Sequence, residues 1–354
     1  MHRRAFLYLA ATSVGTLPFS RLVGQEKHPA EWLDATSVSI DWPEGLAIDS
    51  AGQLYIAEAR VSEVPKLDEH WGRVLVLDTA RGKIRSIAGG GNEPVRAGLL
   101  SSRAKVTWPT AVAVDGKGRR LWIVDRSLSS VLEVDLNQGT IVRIVGGPQQ
   151  RGILKNPEAI VVGANGEIYL AETRDRGILQ LDPASNRLTR IVGANGLIKI
   201  APQLQFPAGL AVGPSPLLYV ADYQNNRIVE FDIARNSARV LLSNIQGPKN
   251  LAIYRDTLYF TESLPWVRAI DLRTMGARVV AGSRSTGFSG DGGPATSAKM
   301  IAPHGLAVDQ VGNLFIADSY GNRIRMVNAK SGVITTVAGN GLPLRQDIKT
   351  VPRL

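Results

Sequence analysis

The chain of 354 residues is 44% hydrophobic and 20% charged, which provides for a large buried core and excludes an intrinsically disordered protein. It holds no cysteine, so disulfides, thiolate nucleophiles and cysteine-ligated metals are excluded. Its formal net charge is +10, and its 36 glycines and 19 prolines favour short strands and turns over helices.

The first predicted element is an export signal over residues 1–24. It begins with Arg3 and Arg4 and continues in an apolar run that has no acidic residue and is too short to span a bilayer. The stretch RRAFL resembles the twin-arginine motif, which exports folded proteins across the bacterial inner membrane; an ordinary secretory signal is the alternative. The predicted location is the periplasm or the extracellular space, and cleavage would lower the net charge to +7.

A short N-terminal arm, residues 25–39, precedes a domain over residues 40–341, and residues 342–354 form a tail. Within that domain four short apolar elements recur six times in the same order. The first element of each copy begins at a proline: Pro43, Pro109, Pro157, Pro207, Pro248 and Pro303. The second ends in an acid: Glu58, Asp125, Glu172, Asp222, Glu262 and Asp318.

Each element has the composition of a β-strand, being rich in Val, Ile, Leu and aromatic residues between Gly, Asn and Asp turns. The first two elements of each copy are apolar throughout, whereas the fourth alternates with polar residues, as in VITTV at 333–337. Four-stranded units with a dry first strand and a wetter last strand are typical of propeller blades. The predicted fold is therefore all-β, a six-bladed β-propeller of four-stranded antiparallel blades.

The repeats resemble the NHL family. The match is closest at ADYQNNRI and ADSYGNRI in the fourth and sixth copies, and the preceding stretch GFSGDGGPATSAKMIAP looks like the NHL repeats of teneurin-like and bacterial exported propellers. The resemblance covers roughly residues 40–341 and implies a binding platform, a scaffold beside other domains or, in some members, an enzyme.

Two acidic features are expected to be structural. The six acids that end the second strands should accept hydrogen bonds from turn amides, with Arg227 and Arg323 as ion-pair partners of the acids five residues before them. In the loop 287–298 the glycines should allow positive φ while Asp291 binds loop amides, because the loop lacks the ligand spacing of a calcium or phosphate loop.

The residue after each anchoring proline differs between copies and should lie at one mouth of the central channel. These six residues are Glu44, Thr110, Glu158, Ala208, Lys249 and His304. The next position is glycine except at Ala111, Ala159 and Asn250. Their polar groups indicate either a ligand-binding mouth or a mouth filled by water.

Gluconolactonase- and regucalcin-like propellers, which are similar in fold, hold a divalent cation at this mouth. That resemblance implies a metal-dependent lactone hydrolase in which Ca²⁺ or Zn²⁺ acts as a Lewis acid. Glu44 and Asn250 match two of its ligands, with Glu158 and His304 as further candidates, but no aspartate counterpart is present. A zinc site built on three histidines is excluded, because only His304 among the four histidines falls in a repeat core.

The leading prediction is a non-catalytic platform that binds a protein or an anionic glycan and needs no cofactor. Rigid strands would hold variable loops over one broad face, and the basic charge favours an acidic partner. The metal-dependent hydrolase is the alternative. An RNA-binding platform is disfavoured by the export signal and by the absence of a Lys/Arg cluster. The predicted binding residues are Glu44, Arg126, Glu158, Tyr223, Lys249, Asn250, His304 and Tyr320.

Overall fold

The computed structural model describes residues 31–59, 72–193, 196–198, 203–214 and 217–342. The predicted export signal and nearly all of the predicted tail lie outside these residues. No helix in the described ranges is long and apolar enough to cross a membrane.

The described chain forms six antiparallel sheets that follow one another along the sequence. Blade 1 contains β2 (Pro43–Ile48), β3 (Gln53–Glu58), β4 (Arg73–Asp78) and β5 (Lys83–Gly89). Blade 2 contains β6 (Pro109–Val114), β7 (Arg120–Asp125), β8 (Ser130–Asp135) and β9 (Thr140–Gly146). Blade 3 contains β10 (Pro157–Val162), β11 (Ile168–Glu172), β12 (Gly177–Leu181) and β13 (Leu188–Val192).

The last three blades repeat the pattern. Blade 4 contains β14 (Pro207–Val212), β15 (Leu217–Asp222), β16 (Arg227–Asp232) and β17 (Ser237–Ser243). Blade 5 contains β18 (Leu251–Tyr254), β19 (Thr257–Thr261), β20 (Trp266–Asp271) and β21 (Ala277–Gly282). Blade 6 contains β22 (Pro303–Val308), β23 (Leu314–Asp318), β24 (Arg323–Val327) and β25 (Ile334–Ala338). Short 3₁₀ helices span Ala35–Ser37, Ser101–Arg103, Tyr223–Asn225, Ala295–Ser297 and Ser319–Gly321.

This arrangement confirms the predicted six-bladed, all-β propeller with four antiparallel strands in each blade. The first strand of every blade lines the channel, and the fourth lies at the rim. The innermost strands are almost wholly apolar because neighbouring blades cover both of their faces.

The hydrophobic core lies between blades rather than inside any one of them. Each of six apolar clusters joins two neighbouring blades; Ile56 of blade 1 and Phe315 of blade 6, for example, belong to the same cluster and are fully buried. The other clusters join blades 1 and 2, 2 and 3, 3 and 4, 4 and 5, and 5 and 6. Burial of one such side chain contributes about 1.5–3 kcal/mol, so the blades stabilise one another around the ring.

Residues 33–42, which we call the closing arm, join the first blade to the last. A two-residue strand, β1 (Leu33–Asp34), pairs with β5 at the rim of blade 1. The amides of Gly339 and Asn340 in blade 6 then donate to the carbonyls of Ala35 and Val38, both at 2.9 Å. The strand of the arm ends at Asp34, and the side chains of Ala35, Val38 and Ile40 fill the gap between the two blades.

Candidate binding site at the channel mouth

The central channel has a volume of about 290 Å³, and nearly all the side chains that line it are apolar. All six innermost strands line it, with side chains such as Ala47, Val162 and Ile253 along its length. Polar side chains gather where these strands begin. That end of the channel is the mouth predicted from the position after each anchoring proline.

The buried acids of the second strands brace the backbone around the mouth. In five blades the acid is the register partner of the anchoring proline, as with Pro207 and Asp222. Asp222 accepts the Gln205 amide at 2.9 Å and the Arg227 Nε–H at 2.8 Å, which confirms the structural role expected for it. The expected pairing of Arg323 with Asp318 is wrong, because Arg323 donates to the carbonyls of Gly321 and Asn340.

Glu44 lies at the mouth beneath an indole ring. Trp42 has a backbone φ of 49°, an unusual conformation for a bulky residue, and its Nε1–H donates to Glu44 Oε1 at 2.7 Å. Burial and the nearby charge of Glu158 raise the pKa of Glu44 to about 7, while hydrogen bonds from Trp42 and Trp108 oppose this rise. Glu44 therefore changes its charge close to neutral pH.

Glu158 shares the mouth with the guanidinium of Arg126. Arg126 Nε lies 3.4 Å from Glu158 Oε2, linking blade 2 to blade 3. Burial raises the pKa of Glu158, and the positive charge of Arg126 opposes the rise. The two predicted residues form one ion pair at the mouth.

Lys249 and His304 form a second pair between blades 5 and 6. Lys249 Nζ lies 2.7 Å from His304 Nε2. Burial, together with the charge of Lys249, lowers the pKa of His304 to about 3, so the imidazole is neutral and Nε2 accepts the hydrogen bond. Burial also lowers the pKa of Lys249, against the opposing influence of Tyr223 and Glu44.

Aromatic rings surround these polar pairs. Tyr320 packs against Trp42 with ring centroids 4.3 Å apart and presents an edge to His304 at 6.5 Å. Across the mouth, Tyr223 packs against Phe206 at 5.7 Å. We call Trp42, Glu44, Trp108, Arg126, Glu158, Phe206, Tyr223, Lys249, His304 and Tyr320 the mouth cluster.

Asn250, the remaining predicted site residue, has a different contact. Its Oδ1 accepts the backbone amide of Leu306 at 3.2 Å, which ties blade 5 to blade 6. Because Glu44 Oε1 accepts an indole N–H and His304 Nε2 accepts from Lys249, the proposed metal ligands are each engaged with protein groups. Among the described residues, no group of three His, Asp or Glu side chains is arranged to hold a metal ion.

The loop 287–298 is a structural element of blade 6. Gly287, Gly290 and Gly292 have positive φ as predicted. Asp291 does not bind loop amides as predicted; its Oδ1 accepts from the fully buried Arg325 Nη2 at 2.7 Å. An ion pair with a residue 34 positions away leaves no local sequence signal.

The sequence analysis predicted Tyr223 and Tyr320 but missed the other three aromatic residues of the mouth cluster. Trp42, Trp108 and Phe206 each precede an anchoring proline, a position that differs from blade to blade just as the following position does. The same comparison of repeats, shifted by two residues, would have found them.

Comparisons with known proteins agree with this fold. A family model for the teneurin NHL domain matches residues 240–349, and a model for the NHL repeat matches residues 204–231. Teneurin-1 of Gallus gallus is 26% identical over 292 residues, which cover 71% of this chain and 10% of that protein. The chain thus spans about a tenth of the length of this relative.

Two solved structures resemble the chain in fold alone. Virginiamycin B lyase from Staphylococcus aureus is 15% identical with a TM-score of 0.53, covering 90% of this chain and 89% of that one. A gluconolactonase from Xanthomonas campestris is 16% identical with a TM-score of 0.58, covering 85% of this chain and 88% of that one.

Proposed function

Because this chain is an NHL-repeat β-propeller, we propose that it is a non-catalytic recognition module that binds a protein or an anionic glycan at the channel mouth. We further propose that it works outside the bacterial cytoplasm, as the N-terminal segment suggests. The mouth cluster would supply the binding surface, and the brace of buried acids beneath it would keep that surface rigid.

The main support is the conformation of Trp42. A tryptophan with positive φ costs free energy, and such strain persists where the surrounding structure holds the residue for a purpose. Here it places one face of the indole near Tyr320 and the N–H on Glu44. Tryptophan, tyrosine and arginine are also the residues that most often dominate binding energy in protein interfaces.

The charges at the mouth favour an anionic partner. Arg126 and Lys249 bring two positive charges, and Glu44 loses its negative charge as the pH falls through about 7. Binding of an anion should therefore strengthen as the pH falls from 8 to 6, because protonation of Glu44 removes a repulsive charge.

The test is a titration of the purified propeller with heparin, an anionic glycan, and with neutral dextran. We expect heparin alone to bind, and Trp42→Ala and Lys249→Ala each to weaken binding about tenfold. Trp32→Ala is the matched control, since Trp32 lies beside Arg85 at the rim of blade 1. Equal binding by all three variants would move the site away from the mouth.

Metal analysis separates this proposal from the lactone hydrolase. Divalent metal content is measured on the purified protein before and after exhaustive chelation, in the wild type and in Glu44→Ala and Asn250→Ala. A stoichiometric ion that both variants lose would overturn the non-catalytic proposal. Heparin binding that survives chelation would support it.

A further inference from the structure

The outer edges of the blades differ in whether another segment covers them. In blades 1, 2 and 6 another segment of the chain pairs with the fourth strand. The pairing is at a residue near the start of that strand, which follows the turn between the third and fourth strands. Ile84 pairs with Leu33, the Ile141 amide donates to Leu99 O at 2.8 Å, and the Ile334 amide donates to Gly293 O at 3.0 Å. In blade 3 the Ile198 amide donates to Ile191 O at 2.9 Å.

Among the residues that the structure describes, no segment forms backbone hydrogen bonds with the outer edge of blade 4 or blade 5. The 3₁₀ helix Ala295–Ser297 packs against β21 without a backbone hydrogen bond to it. The positions that correspond to the three isoleucines are Ala238 and Ala277, which are the register partners of Phe231 and Ile270. In blade 5 the Asp271 amide donates to Gly276 O at 3.0 Å, so the alternation of an antiparallel pair turns the N–H and C=O of Ala277 outward. Within the described part of the chain, the outward N–H and C=O of Ala277 therefore have no backbone partner.

A basic groove runs beside this edge of blade 5. Its volume is about 560 Å³, and it is lined by Trp266, Arg268, Arg278, Val279, Arg284 and Thr296 among others. Arg278 and Arg284 are exposed, and in the described part of the chain neither contacts a carboxylate. Val279 is 39% exposed and adds an apolar contact at the same edge.

We propose that the edge of β21 binds an extended acidic segment of a partner protein as a fifth strand. The added strand would take the backbone hydrogen bonds of Ala277 and place acidic side chains against Arg278 and Arg284, a form of β-strand addition. Blade 1 already has this geometry, since β1 is a fifth strand on its outer edge. This surface is separate from the mouth cluster.

The charge of the edge selects this occupant over a second copy of the chain. Edge-to-edge pairing of two copies would bring the exposed arginines of both β21 strands together, and like charges across paired strands are destabilising. The open edge of blade 4 differs, because its Arg239 is already paired with Glu230 at 2.6 Å. Blade 5 therefore offers both an open edge and unpaired positive charge.

The probe is a fluorescein-labelled octapeptide of alternating Glu and Val, with a Lys-Val octapeptide as its control, followed by fluorescence anisotropy. We expect the Glu-Val peptide to bind, and Ala277→Pro to weaken it at least about tenfold because proline removes the outward N–H. The double variant Arg278→Glu/Arg284→Glu should weaken it similarly without a change to the backbone. Ala238→Pro, the same substitution on blade 4, is the matched control, and circular dichroism checks that each variant folds.

Several results would overturn the proposal. These are no binding of the Glu-Val peptide, equal binding of the Lys-Val peptide, or an equal loss in Ala238→Pro. Sedimentation that shows a wild-type dimer dissociated by Ala277→Pro would assign the edge to a second copy instead. Glu-Val binding should be unchanged in Trp42→Ala, so failure here is distinguishable from failure of the mouth proposal.

Discussion

At the scale of single residues, the mouth suppresses charge on both an acid and a base. Burial raises the pKa of Glu44 to about 7 and lowers the pKa of His304 to about 3. Both shifts favour the neutral form, because a charged group is costly where water is scarce. Because Glu44 is partly neutral near pH 7, the mouth then carries less negative charge opposite Lys249 and Arg126 than fully ionised carboxylates would give.

Glu44→Gln should make stability less dependent on pH. The raised pKa of Glu44 contributes stability that is complete below about pH 4.5 and is lost as the pH rises to about 7. At pH 8 the variant should therefore be more stable than the wild type by about 3 kcal/mol. Urea unfolding at pH 4.5, 6 and 8 measures this difference. His304, whose contribution is lost as the pH falls from 6.5 to about 3, affects both proteins alike. The exposed Glu31→Gln is the control, and parallel pH profiles for all three proteins would contradict the prediction.

At the scale of strands, a buried acid at the end of each second strand, or directly after it in blade 5, binds the chain entering its own blade. Asp318, for example, accepts the amides of Ile301 at 2.8 Å and Ala302 at 3.0 Å. The carboxylate thus holds the segment before the anchoring proline, which in other blades carries Trp42, Trp108 and Phe206 of the mouth cluster. The acid that recurs in every repeat thus also fixes the backbone that carries the variable residues of the channel mouth.

Asp222→Asn should lower the free energy of unfolding by about 3 kcal/mol, because Arg227 would lose the negative charge that it pairs with at 2.8 Å in a buried setting. Asp256→Asn is a suitable comparison: Asp256 has a side chain 62% exposed and lies 3.6 Å from Arg273, and its loss should cost less than about 1 kcal/mol. Urea denaturation of both variants gives the two values. Similar small losses would mean that the buried acids do not brace the blades.

At the scale of the whole molecule, stability depends on closing the ring. Each apolar cluster needs two blades, and the cluster between blades 1 and 6 also needs Ala35, Val38 and Ile40 of the closing arm. Detachment of the closing arm would therefore weaken the whole interface between blades 1 and 6.

Ile40→Ala should cost about 2–4 kcal/mol, since Ile40 is fully buried between the first and last blades. Hydrogen exchange should quicken first at the amides of Gly339 and Asn340, because these amides donate to the carbonyls of Ala35 and Val38 in the closing arm. Ile153→Ala, at a side chain 49% exposed, serves as the control and should leave both measurements unchanged. Uniform acceleration across all blades would refute a local role for the arm.

Much of this fold could be predicted because the same four apolar elements recur six times in the same order, and each copy supports the interpretation of the others. The position of the mouth was predictable, since the residue after each anchoring proline occupies the equivalent place in every repeat. Its contacts were not: the Lys249–His304 pair depends on rotamers, and the positive φ of Trp42 has no marker in sequence. The role of Asn250 was missed because its partner, Leu306, lies in the next blade.

The closing arm also sets an order of events during synthesis. Ser39 and Asn340 are 301 positions apart yet in contact, so the arm leaves the ribosome long before its partners in blade 6 exist. Until blade 6 has formed, the side chains of Val38 and Ile40 lack half of the apolar cluster that buries them, and the nascent chain exposes them to water. The interface between the first and last blades can therefore form only after blade 6 has been synthesised.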